Sequence, residues 1–189
     1  MKKLLVSAAA IVMAISSINA QTQDEKVVKN DIKTLKKQER SDKITLRKME
    51  GNDASYQSKE QFRVDFGDVA EVSWGRSGYY DEAVFTKDGK SMKAFYDPDA
   101  HLVGTVTAKT FNDLPKDAQK DITKRYKDYT VDKVIFYDDN ESNETDMILY
   151  GSQFDDADNY FVELSKGTAK LVLQIQPDGN VSFFKQISK

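Results

Sequence analysis

The sequence predicts an α+β protein made of two matching halves, a tandem repeat in which each half is a helix packed on one face of a four-stranded antiparallel sheet. Three observations predict it. Alternating apolar runs recur at one constant offset: Ala83 and Phe85 fall on Val162 and Leu164, Met92, Ala94 and Tyr96 on Leu171, Leu173 and Ile175, and Leu102 on Val181. The turns recur with them, Asp97-Pro98-Asp99-Ala100 lying over Gln176-Pro177-Asp178-Gly179. An apolar stripe at helical spacing precedes each set of strands.

The elements follow in chain order. Residues 1–20 have a charged start (Lys2, Lys3), an apolar run from Leu4 to Ile15 and a small, polar end at Ala20, the three parts of a secretory signal peptide cleaved after Ala20. The run is too short to span a bilayer, which needs ~20 apolar residues. Residues 21–57 form a basic helical arm. Val28, Ile32 and Leu35 mark a helix over 24–36, and residues 33–48 carry seven basic side chains against Glu39 and Asp42. Such a run reads as a solvated face or as a docking surface for something acidic.

The first half spans 58–110. Phe62, Phe66 and Val69 mark its helix and Val72 and Trp74 its first strand; Asp88-Gly89 is a hairpin signal between alternating runs. The second half spans 111–189. Its helix starts near Asp113 with Pro115 in the first turn and carries Leu114, Ala118, Ile122, Tyr126 and Tyr129 on one stripe. Its first strand bears Val134 and Phe136. Matching Trp74 to Phe136 gives a smaller offset than the later strands show, so the second half carries an insertion between Tyr137 and Asn159. This insertion, 138–158, holds eight acidic residues and no Lys or Arg.

Composition narrows the chemistry. The 189 residues include no Cys and one His, which removes disulfides, thiol nucleophiles, Cys-based metal sites and any multi-histidine site. The formal charge of −3 (28 basic, 31 acidic) gives no general attraction for nucleic acid. His101 reads as an exposed turn residue. No glycine pattern opens a helix as a phosphate cradle, and no carboxylate pair is singled out by its spacing. The expectation is a protein with neither catalytic residues nor a cofactor.

Phe85-Thr86-Lys87-Asp88-Gly89-Lys90, Asp113-Leu114-Pro115 with Ala118 and Ile122, Tyr126-Lys127-Asp128-Tyr129, and Gln176-Pro177-Asp178-Gly179-Asn180-Val181 resemble the secreted PepSY-like proteins, also described as β-lactamase-inhibitor-like. The resemblance covers about 58–187. It implies a tandem α+β fold, a periplasmic or secreted location, and a binding or inhibitory role in place of a reaction.

Two features remain as candidate sites. Clustered oxygens in the insertion suit calcium, but Asn143 stands where the helix-loop-helix site needs Gly and Leu149 where it needs Glu, so no metal ligands are assigned. The other readings are a solvated loop with Met147, Ile148, Leu149 and Tyr150 tucked onto the core, or a loop lying against the basic arm. Strand parity sends Tyr80, Val84, Phe95, Val103, Ile135, Phe161, Val172 and Phe184 to the face away from the helices. The face either packs against the other half or the arm, or binds. On the second reading Tyr80, Phe95, Phe161 and Phe184 are the partner-binding residues. The expected partner is a protein or an extended ligand, with no nucleic acid and no transmembrane segment in the mature chain. The protein would be a monomer or weak dimer, and the rival reading is a self-associating envelope protein.

Overall fold

A computed structural model describes residues 26–45, 49 and 51–187, so the leader lies outside the described residues. The chain divides into two compact units, Met1–Met49 and Glu50–Lys189. In the first, residues 26–45 form helix α1, which continues well past Lys36. The added stretch holds Gln, Glu, Arg and Lys with no Gly or Pro, a composition that favours continued helix.

The second unit holds helix α2 (Tyr56–Phe66), strands β1 (Ser73–Arg76), β2 (Asp81–Lys87), β3 (Lys90–Tyr96) and β4 (Leu102–Lys109), and helix α3 (Lys116–Arg125). Strands β5 (Thr130–Asp139), β6 (Ile148–Leu149), β7 (Ser152–Gln153), β8 (Asn159–Lys166), β9 (Ala169–Ile175) and β10 (Val181–Ile187) follow. The two expected sets of four strands join in a single sheet. One antiparallel sheet runs β1-β2-β3-β4-β5-β8-β9-β10, and β6 and β7 make a separate hairpin. The seam is β4 on β5, from Gly104 opposite Asp139 to Lys109 opposite Val134. Pairing there removes two edges that would otherwise present unpaired backbone groups.

Both helices cover one face. Phe62 of α2 packs with Ala83, Phe85, Ala94 and Tyr96. Leu114, Ala118 and Ile122 pack with Val134, Val162, Leu164, Leu171, Leu173 and Ile175. Leu164 and Leu173 are buried as their alternation requires. Helix α2 is capped by Ser55, whose side chain accepts from the Ser58 amide, and ends at Gly67 with φ 79°. The start of α2 is tied to the sheet through Asp81. Its Oδ2 accepts from the Ser55 amide (3.0 Å) and the Ser58 hydroxyl (2.7 Å), and its Oδ1 from Arg76 Nε (2.7 Å). Asp81 and Arg76 are both buried, so their charges are compensated by geometry that leaves few lone pairs unused.

Sheet register changes one sequence match. Trp74 stands opposite Ala83, and Val162, the counterpart of Ala83, stands opposite Val134. The position in β5 that matches Trp74 is therefore Val134, at the same offset that relates Phe66 to Tyr126. The added segment is then slightly longer than the match of Trp74 to Phe136 implies. Trp74 is half-buried, because β1 is the edge strand and has a neighbour on one side alone.

Candidate functional site

The face opposite the helices is the candidate. Strand parity holds along it: Tyr80, Phe95, Val103, Ile135, Phe161 and Val172 form one cluster with Tyr137, and Phe184 packs at its margin. Phe184 reaches this side through a bulge in β10, where Phe183 is opposite Leu173 and Lys185 is opposite Val172. Val84 lies on the uncovered part of the face, 40% exposed.

The cluster is not open. The insertion leaves β5 at Asp139 and returns as the β6–β7 hairpin, which lays Met147 and Phe154 onto the aromatic residues. The Phe154 ring stands 5.1 Å from Tyr137, 5.0 Å from Phe161 and 6.0 Å from Phe184, each edge-on, the favourable arrangement for aromatic quadrupoles. Of the four expected contact residues, Tyr80, Phe95 and Phe161 are 2%, 5% and 0% exposed, and Phe184 is half-buried. On the binding reading all four would lie on a partly exposed surface; three of them are covered, and the inserted hairpin supplies the cover. The expected tucking of Met147, Ile148, Leu149 and Tyr150 onto the core is what the structure shows.

Polar contacts fix the hairpin. The Tyr80 hydroxyl donates to the Asp146 carbonyl (3.1 Å) and accepts from the Ile148 amide (3.1 Å). The hairpin tip is Tyr150-Gly151, with φ of 52° and 70°, a two-residue turn whose twist suits a hairpin. A bulky residue is strained at positive φ, and two bonds hold Tyr150 there. Its hydroxyl donates to Glu163 (2.8 Å), and its carbonyl accepts from Lys185 Nζ (2.7 Å). At the root of the insertion Asn140 Nδ2 donates to the Leu102 carbonyl (2.7 Å), and the Asp139 amide donates to Asp158 Oδ1 (2.8 Å).

Beneath the root, the Tyr137 hydroxyl lies 3.2 Å from the Val103 carbonyl and 2.9 Å from Asp139 Oδ1. Burial, then the Asp139 carboxylate, push its pKa up. The ring lies across Gly104, where a Cβ would stand 2.6 Å from the Tyr137 hydroxyl oxygen and 2.7 Å from the Asp138 carbonyl oxygen. The acidic segment raises its own members. Partial desolvation, then a hydrogen bond shared with Asp139 and the charges of Asp139, Asp146 and Glu144, push Asp156 up to about 6. Asp138 is raised by desolvation first and then by Asp158.

Chemistry is sparse. The side chain of His101 is 72% exposed, with Nδ1 3.9 Å from Asp97 Oδ2. Among the described residues no group of three His, Cys, Asp or Glu side chains is placed to hold a metal ion. The Asn140 carboxamide, among the clustered oxygens of the insertion, bonds Leu102 and the Ser142 amide. Also among the described residues, no helix is long and apolar enough to cross a membrane. Parity found most of the cluster. It missed Tyr137 and Phe154, whose apolar roles are hidden beside Asp138, Asp139, Asp155 and Asp156; the alternation of Ile135 with Tyr137 was the available signal for the first.

The arrangement, a large antiparallel sheet with helices on one face, defines an α+β protein of BLIP-like fold. It is similar to a BLIP-like protein from Bacteroides fragilis, with a TM-score of 0.55 and 19% identity over 71% of this chain and 87% of that one. A protein from Bacteroides eggerthii described as periplasmic gives 0.57 and 17% over 71% and 88%. A DUF2874 family protein from Bacteroides uniformis gives 0.57 and 16% over 71% and 89%. No protein-family model and no curated protein matches the sequence, the PepSY family included.

Proposed function

We propose that this is an exported, non-enzymatic binding protein that meets a protein or an extended ligand with the sheet face opposite its helices, as that face is rebuilt by the hairpin. Tyr80, Phe95 and Phe161 form the base of the surface, and Phe184 with Ile148, Leu149 and Tyr150 forms its reachable part. The observation that carries the reading is that the chain's one long insertion is folded onto this face. The fold likeness to BLIP-like and periplasmic-type proteins supports binding and export. The matched spacings of the halves support a tandem duplication in which both copies contribute strands to the surface.

A photo-crosslinking residue at Leu149, compared with one at Lys120 on the exposed side of α3, tests this in exporting cells. Adducts at 149 and none at 120 support it. Equal yields, or none at either, refute it. An adduct at 149 of twice the protein's mass assigns the surface to a second copy, the self-associating reading.

A further inference from the structure

Helix α1 separates its charges by sign. Lys26, Lys29, Lys33, Lys36, Arg40 and Lys43 follow one another at steps of three and four residues, the spacing that keeps side chains on one line of a helix. Together with Lys37 they occupy about 120° of the helix circumference and a length of about 26 Å, at ~100° and ~1.5 Å per residue. Asp31, Glu39 and Asp42 all lie outside that arc, and the excess is local, since the whole chain stands at −3. Basic neighbours at i,i+3 and i,i+4 repel and weaken the helix that carries them. A helix that only had to be solvated would interleave the signs, as Glu39 and Lys43 do at 3.0 Å. Helix formation therefore does not explain the row.

A second feature borders the row and decides what meets it. Val28, Ile32 and Leu35 form an apolar stripe on the same helix, 55%, 47% and 68% exposed, and Ile32 stands one turn from both Lys29 and Lys36. A linear polyanion would satisfy the charges and leave this stripe in water. A carboxylate surface of a protein favours Arg, whose fork pairs bidentately, and protein interfaces are enriched in aromatic residues and depleted in Lys. The row holds six Lys to one Arg, and α1 contains no aromatic residue. An anionic bilayer uses both features: its surface potential attracts Lys without directional bonding, and its interface takes aliphatic side chains beside flexible Lys stems. We propose that α1 lies along the surface of an anionic lipid bilayer, its basic row on the headgroups and Val28, Ile32 and Leu35 entering the interface beside it. The attachment is peripheral, in keeping with the lack of a membrane-crossing helix among the described residues. It is independent of the sheet-face reading above, because α1 belongs to the other compact unit.

The test is co-sedimentation of the exported form, from Gln21 onward, with vesicles of equal parts phosphatidylglycerol and phosphatidylcholine and, separately, of phosphatidylcholine alone. Binding to the first, little to the second, and release on raising the salt are expected. Lys26→Gln/Lys33→Gln/Lys36→Gln/Lys37→Gln keeps good helix formers and should weaken binding about tenfold or more. Ile32→Ala/Leu35→Ala leaves every charge in place and should weaken it about threefold or more. Equal binding to both vesicle types, binding to neither, or undiminished binding by the lysine variant would overturn the proposal. So would tighter binding to heparin or to polyglutamate than to the anionic vesicles, which assigns the row to a linear polyanion or to an acidic protein. Circular dichroism checks that each variant keeps its helix content; if the fourfold variant loses it, Lys36→Gln/Lys37→Gln supplies the comparison.

Discussion

Replacing Phe154 by Ala asks whether the hairpin belongs to the fold or rests on it. The side chain is 7% exposed and touches three aromatic rings. Burying a Phe contributes ~1.5–3 kcal/mol. The ring contacts add ~0.5–1.5 kcal/mol each in favourable cases, and truncation leaves a cavity, so a loss of about 3–5 kcal/mol is expected. The full loss registers in global unfolding only if the hairpin unfolds with the sheet. Were it to open separately at a lower cost, the mutant would simply rest in the opened state, and the loss seen in global unfolding would be capped at that opening free energy. Trp74 sits on the opposite edge strand, so its fluorescence in a urea titration follows the sheet and not the hairpin. The expected result is a drop of about 3–5 kcal/mol, with the Ile148 and Phe154 amides of the wild type exchanging as slowly as those of β8. A drop below about 1 kcal/mol, with those amides exchanging freely, would refute the view that the hairpin is integral.

Three further outcomes follow from the same geometry. Phe95→Ala should cost ~3–5 kcal/mol of stability and Phe184→Ala under about 2, because the first is buried and the second half-buried; equal, negligible shifts in denaturant midpoint would return both to the surface. Gly104→Ala should destabilise by about 1–3 kcal/mol through collision with Tyr137 and a backbone carbonyl, and a variant melting at the wild-type temperature would show that the Tyr137 ring does not lie there. The folded pKa of Asp156 is raised from 3.8 to about 6, so the stabilisation it contributes is fully present below the lower value and is lost as pH rises through the upper one. Protease nicking of 155–158 should therefore increase from pH 5 to pH 7 in the wild type and be flat in Asp156→Asn; a flat wild-type profile would count against the raised pKa of Asp156.

Strands and helices were legible because each pairs a simple period with explicit punctuation. Ala83, Phe85, Leu171 and Leu173 alternate, and Asp88-Gly89 takes φ of 51° and 72° at the turn such a dipeptide favours. Aromatic likeness misled at Trp74: the pairing of two large rings obscured a register that small residues, Ala83 and Val162, determine. The slip from Val134 to Phe136 kept every side chain on its proper face, which is why the face was read correctly while the insertion's length was not. The state of that face was illegible for another reason. Whether Tyr80 or Phe161 meets water depends on Met147 and Phe154: the run 147–150 marks Met147 as a core contact without saying which face it covers, and Phe154 stands alone beside Asp155 and Asp156 in a stretch with eight carboxylates.

The insertion begins and ends on neighbouring strands, with the Asp139 amide bonded to Asp158. Its two ends are as close as those of a tight turn, so the pairing of β5 with β8 does not depend on how much chain lies between them. Doubling such a loop adds only ~0.6 kcal/mol of closure cost. Natural variation, or an engineer, can therefore vary the length and sequence of 140–157, so long as the new segment again lays apolar side chains where Met147 and Phe154 cover Tyr80, Phe95 and Phe161, and each such segment dresses the same eight-stranded platform in a different contact surface.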